Sequence, residues 1–226
     1  MTQASTLPRP LNRAIGGPLV GENAGEGAHS GLRAVLGAEQ WMRLPEAVRE
    51  RFAGNAAAVT YAGAFEIVRA SLLGRLFAWL GVIFGGPVTP RIGNDVEARV
   101  FVRPNGFGVE WTREYLWADG RRDVVRSTKV ITGDARLIEK LPARLCMPLA
   151  TWQENGVLHF VSRGYYFDTL FGFKLWLPGF FTPGITHVEH IDLGHGWFRF
   201  TMTVTHPVFG EMFFQTGRFC AAEGLE

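Results

Sequence analysis

Cysteine is scarce in this chain: Cys146 and Cys220 are the two among 226 residues. Two thiols make no disulfide framework, and neither stands in a CxxC pair or near a plausible zinc constellation. The expectation is two small apolar side chains in a reducing compartment. Charge of one sign is equally scarce. The 23 Lys and Arg nearly balance the 21 Asp and Glu, for a formal charge of +2. That leaves no basic footprint for nucleic acid, and no RNA-binding or helix-turn-helix signature accompanies it. GxGxxG, P-loop and internal repeats are missing, which excludes the familiar nucleotide sites. Without a GxSxG elbow or an activating partner for either cysteine, nucleophilic catalysis has no support, and no cofactor is expected. The opening "MTQASTLPRPLNRAIGG" has no continuous apolar core, so a secretory signal is not expected and a cytoplasmic protein is.

What the chain does have is apolar residues, 47% of the total, and aromatics, 13%. Residues Met1 to His29 are rich in Gly, Pro and Ala and read as a disordered leader, so residues 30–226 form a single domain. From Ser30, a candidate cap, Leu32, Val35, Leu36 and Trp41 recur at helical spacing, and Pro45 opens a second helix, "PEAVRERF". "FEIVRASLLGRLFAWLGVIF", Phe65 to Phe84, reads as a core helix. Its uncharged part after Arg75 meets Gly81, Gly85, Gly86 and Pro87, too short for the roughly 20 apolar residues of a membrane span. A helix lying in a membrane interface is the minor alternative.

From Asp95 the period becomes two. "VEARVFV", "FGVEWTREYLW", "DVVRSTKVIT", "ARLIEKL", "GVLHFVSRGYYF", "HVEHIDL", "WFRFTMTVTH" and "EMFFQTGRF" read as strands, with hairpin turns at Asn105-Gly106 and Asp119-Gly120. Helices over about 30–85 followed by strands over about 95–220 predict an α+β fold. The helices pack on a strongly curved antiparallel sheet or partial barrel of about 7–10 strands.

Within "FGVEWTREYLW", Phe107, Val109, Trp111, Tyr115 and Trp117 share a face, and Arg113 interrupts it. A buried arginine needs a carboxylate partner, for which Glu139 is the candidate, or it holds a ligand carboxylate or phosphate. Glu110 and Glu114 belong to the opposite, solvated face. His206 ends the inward row Phe198, Phe200, Met202, Val204 and is a candidate acid or base at a pocket mouth. "HVEH" puts His187 and Glu189 on one face and His190 on the other, too few to converge on a metal, and no metal site is expected. Gly164 to Gly184, "GYYFDTLFGFKLWLPGFFTPG", holds eight aromatics with Asp168 and Lys174 as its charges. Pro178 and Pro183 bar a regular helix or central strand, leaving core, pocket wall or interaction surface.

"LGAEQWMRLPEAVRERF", "YAGAFEIVRASLLGRLFAWLG", "VEWTREY", "ARLIEKLP" and "GWFRFTMTVTHPVFGEMFFQTGRF", in this order, resemble a bacterial family, domain of unknown function 4166, over Leu32 to Phe219. Trp111, Thr112, Arg113, Glu139 and Gly217 match its pattern. His206 and Gln215 stand where the family shows an aliphatic and an aromatic residue. Such domains look like frequent attachments to saccharopine-dehydrogenase-like proteins, which implies an accessory or substrate-holding role beside a nicotinamide-dependent redox protein; this chain is expected to stand alone.

The expectation is binding of a hydrophobic or lipid-like small molecule in a curved-sheet cavity by Trp111, Arg113, Tyr115, Tyr165, Phe171, Trp176 and His206. The alternatives are a cofactor-independent isomerase or cyclase using Arg113, Glu139 and His206, or a peripheral membrane or protein-interaction module built on Phe65–Phe84 and Gly164–Gly184.

Overall fold

A computed structural model describes residues 31–53, 58–83, 88–106 and 108–222. The leader, the Ser30 cap and Phe107 lie outside the described residues. Three short helices come first: α1 (Gly31–Leu36), α2 (Ala38–Met42) and α3 (Glu46–Phe52). Gly37, at φ 80°, breaks the first predicted helix into α1 and α2, a left-handed backbone that glycine adopts without a Cβ penalty. Strand β1 (Val59–Ala70) follows, then helix α4 (Leu72–Ile83).

The remaining strands are β2 (Gly93–Asn105), β3 (Gly108–Leu116), β4 (Arg122–Ile131), β5 (Leu137–Lys140), β6 (Leu145–Glu154), β7 (Val157–Ser162), β8 (Tyr166–Asp168), β9 (Lys174–Trp176), β10 (Ile185–Gly194), β11 (Trp197–His206) and β12 (Gly210–Ala221). Ten of the strands close into an antiparallel barrel in the order β5-β4-β3-β2-β1-β12-β11-β10-β7-β6, with β6 returning to pair β5. The β8–β9 hairpin hangs from β6 at the barrel rim. Closure pairs the ladder edges that an open sheet would expose.

The predicted α+β barrel is therefore present, with corrections: β1 lies wholly inside the stretch expected to be helical, and β6 has no counterpart among the expected strands. Phe65–Ala70, read as the first part of a helix, is the end of β1, and α4 starts only at Leu72. The cause is a bulge between Phe65 and Ile67 that shifts the register against β12. Inward residues then fall at Tyr61, Phe65 and Val68, four and three apart, which imitates a helical period.

The two barrel ends are closed differently. At one, α3 inserts Phe52, whose ring stacks on Trp111 of β3 at 5.5 Å and meets Phe160 of β7 at 5.6 Å. At the other, α4 lies across β12. The Ser71 N–H donates to the Met212 carbonyl, and Ser71 Oγ accepts from the Gly74 N–H, capping the helix. A Cβ on Gly74 would stand 1.8 Å from the Met212 carbonyl oxygen, so only glycine lets the helix approach this closely. No described helix is long and apolar enough to cross a membrane.

Candidate functional site

Three spaces follow one another along the barrel axis. The first, about 60 Å³, lies under α1 and α3 and is lined by Leu32, Arg51, Phe52, Trp111 and Lys129. Trp111 and Lys129 also border the second, a central chamber of about 30 Å³ that includes Arg113, Ser127, Glu139 and His190. The third is an apolar cavity of about 310 Å³ at the α4 end.

The central chamber answers the question raised by Arg113. Alternation on β3 turns Trp111, Arg113 and Tyr115 inward, and each is buried. Glu139 of β5 is buried in the same chamber, but Lys129 takes its carboxylate, Nζ to Oε1 3.2 Å. Arg113 makes no ion pair or hydrogen bond among the described residues, and its buried Nε has no partner. Its guanidinium lies 5.9 Å from the Phe200 ring centre. The chamber thus holds two cations and one carboxylate, which Lys129 takes. Burial raises the Glu139 carboxyl, but Lys129, Arg113 and the Ser127 hydroxyl outweigh it and hold the carboxyl below its ordinary value. Burial lowers the Lys129 ammonium, with Glu139 opposing and Arg113 reinforcing the shift.

His190 faces the same interior from β10, edge-on to Phe52 at 4.9 Å and to Phe200 at 5.4 Å. Burial, then the charges of Arg51, Lys129 and Arg113, push it well below an ordinary imidazole, so it is neutral. Tyr115 donates its hydroxyl to Gln215 Oε1 at 2.9 Å, and burial raises its pKa. Gln215 is therefore the partner of a buried tyrosine. The chamber has room for about two waters, which excludes an apolar ligand body beside Arg113.

The α4-end cavity has that room. Phe77, Ala78 and Gly81 of α4 form one wall, Tyr165, Phe167 and Leu177 the facing one, and Met212 and Phe213 of β12 the floor. A hydrogen bond between the Tyr165 hydroxyl and Thr186 Oγ1, 2.8 Å, joins the residues that border this cavity and the central chamber. Burial pushes the Tyr165 hydroxyl up to about 12, so it is a neutral hydrogen-bonding group.

Around the same end the surface is apolar. Leu72, Leu76, Trp79 and Leu80 form one exposed stripe of α4. The segment Gly164–Gly184 divides: Tyr165 and Tyr166 are buried, while Phe171 at 85%, Phe173 at 72% and Phe181 at 70% are exposed. Trp176 is exposed at 53% and packs on Tyr166 at 5.1 Å.

The predicted ligand residues are thus distributed rather than convergent. Trp111, Arg113 and Tyr115 face the small inner spaces, Tyr165 lines the large cavity, and Phe171 and Trp176 belong to the surrounding surface. His206 is buried at the end of β11, where Nδ1 accepts from the Val208 and Phe209 N–H groups at 3.1 and 3.3 Å. It lies against Phe180 and Phe209 and lines neither the chamber nor the cavity. Arg113, Glu139 and His206, the candidates for acid–base chemistry, do not share one space: the first two line the chamber and His206 does not.

Sequence reasoning missed the α4 wall, because Ala78 and Gly81 carry no signal beyond helical spacing. It also judged that "HVEH" lacks a third ligand. The barrel supplies one: β7 places His159 opposite Glu189 on the outer face, and His159 Nδ1 lies 3.1 Å from His187 Nε2. Strand pairing across non-adjacent segments produced that meeting, which no local spacing reveals.

No curated protein and no solved structure matches this chain. The family model described as Domain of unknown function (DUF4166) matches residues 44–219, from the loop before α3 through nearly all of β12. With most of the barrel inside that match, the chain belongs to the DUF4166 family.

Proposed function

We propose that this protein binds an apolar, lipid-like molecule in the cavity at the α4 end of the barrel and exchanges it at a lipid surface. The observation that carries this reading is the continuity of cavity and surface. Leu80 and Phe181 both border the cavity and are more than half exposed. The cavity's volume of about 310 Å³ suits a small ligand, and its lining is almost wholly apolar.

The surrounding stripe fits a bilayer interface. Leu72, Leu76 and Trp79 are exposed together, and Trp176 adds a second amphipathic ring. Arg75 and Lys174 are exposed within these two segments, a cationic complement to anionic headgroups. Monomeric proteins rarely leave so many large apolar side chains in water without a use for them. The family resemblance suggests a nicotinamide-dependent redox protein as the acceptor of the ligand. The isomerase reading is left without a specific observation in its favour, since the only carboxylate of the central chamber among the described residues is held by Lys129.

Two variants separate cavity from surface. Ala78→Trp fills the cavity while leaving the exposed stripe intact. It should retain sedimentation with vesicles containing phosphatidylglycerol but lose transfer of a fluorescent fatty acid between them. The pair Leu76→Ser, Trp79→Ser should stay in the supernatant while still taking up the fatty acid from solution. Unchanged transfer by the filled variant would remove the cavity from the account. Equal sedimentation of the stripe variant would remove the surface.

A further inference from the structure

A cluster on the outer wall, none of whose residues lines the cavity, stands apart from the site above. On β10 the side chains of His187 and Glu189 point outward, and β7 brings His159 beside them. Glu189 and His159 are direct cross-strand partners. His159 Nδ1 lies 3.1 Å from His187 Nε2 and 3.5 Å from Glu189 Oε1. One donor atom from each of the three residues falls within 4.8 Å of the other two.

Bonds of about 2.0 Å at tetrahedral angles separate two zinc ligands by about 3.3 Å. The two separations from His159 differ from that by about 0.2 Å, and the third donor pair, His187 and Glu189, lies within 4.8 Å, close enough for a small side-chain adjustment to bring all three onto one ion. Their rings are also held. Trp152 of β6 stacks on His159 at 5.0 Å and 11° and on His187 at 5.9 Å and 18°. A tryptophan platform under both imidazoles limits the rotamers that would take them apart.

We propose that His159, His187 and Glu189 form a binding site for a divalent transition-metal ion of the zinc type. Two imidazoles and one carboxylate suit a borderline cation such as Zn²⁺ and are a poor match for Ca²⁺ or Mg²⁺, which take oxygen ligands. Three protein ligands leave a fourth position for water. His159 is buried, whereas the Glu189 side chain is 32% exposed, so that position opens on the Glu189 side. The ion would clasp β7 to β10, the two strands whose inner faces present Phe160 and His190 to the barrel interior.

The test uses the full chain stripped with EDTA and titrated with Zn²⁺ alone by calorimetry, and with Co²⁺ by visible absorption. The expected result is one site per chain, with the d–d bands of tetrahedral Co²⁺ and a melting temperature raised by Zn²⁺. His159→Ala, His187→Ala and the conservative Glu189→Gln should each weaken Zn²⁺ binding by about 100-fold or more. His195→Ala, a histidine outside the cluster, should leave it unchanged. Metal-free melting curves of the variants show that each is folded, and Glu189→Gln keeps the test open if a histidine variant does not fold. No binding by the wild type, or equal binding by wild type and Glu189→Gln, would overturn the proposal.

Discussion

Arg113 is buried, and the carboxylate that lines its chamber, Glu139, is paired with Lys129. Replacing a buried charge with an apolar chain of similar volume is often neutral or stabilising, whereas removing the counter-charge is costly. Arg113→Met should therefore change stability by less than about 1 kcal/mol, while Glu139→Gln, which strands two cations, should cost about 3–5 kcal/mol in urea denaturation. A comparable loss in both would mean that Arg113 shares the Glu139 carboxylate after all.

The same chamber gives stability a pH dependence with two windows. Burial, then the cations Arg51, Lys129 and Arg113, place His190 well below an ordinary imidazole. The folded chain therefore binds fewer protons there than the unfolded chain. Its contribution is complete above about pH 6.5 and declines as pH falls below that. Glu139 is also held below its ordinary value, with its burial outweighed by Lys129, Arg113 and Ser127. Its contribution is complete above about pH 4.3 and is lost at lower pH. His190→Phe should flatten the stability curve between about pH 6.5 and 5 and leave the steeper acid limb in place. A curve unchanged by that substitution would show that His190 is not the group titrating in this window.

At the scale of elements, α4 is the wall on which the cavity depends, and Gly74 sets its distance from β12. Gly74→Ala puts a Cβ into the Met212 carbonyl, so the helix must move outward. The expected cost is about 1–3 kcal/mol, accompanied by stronger binding of the dye ANS as the apolar lining opens. An unchanged melting temperature would contradict the close contact.

Elements with alternation, β2, β3, β4, β10 and β11, were legible in the sequence because their fully buried residues all fall on one face. β1 was not recognised as a strand: its first half, rich in Ala and Gly, carries little alternation, and its bulge breaks the period of two; β6 was missed because Pro148 interrupts "LCMPLATWQE". Pro148 pairs with Ile138 in the short ladder that closes the barrel, a place fixed by tertiary pairing and invisible to local propensity. The inward direction of Arg113 was legible from alternation alone. Its lack of a partner was not, because Lys129 and Glu139 meet across β4 and β5. The His159–His187–Glu189 cluster was hidden for the same reason, with strands 28 residues apart supplying its two histidines.

Taken whole, the molecule is a closed barrel with unlike ends. Short helices plug one end with Phe52, leaving inner spaces that suit a few waters. The other end holds the larger apolar cavity beneath α4 and is ringed by exposed aromatic and aliphatic side chains. Under the proposed function, ligand enters at the α4 end. The most direct measurement is denaturing mass spectrometry of organic extracts from purified wild type and Ala78→Trp, with matched protein amounts and confirmed folding. The account predicts an apolar molecule in near-stoichiometric amount with the wild type and its loss from the filled variant. Equal recovery from both, or the absence of any apolar species from the wild type even after incubation with lipid vesicles, would contradict it.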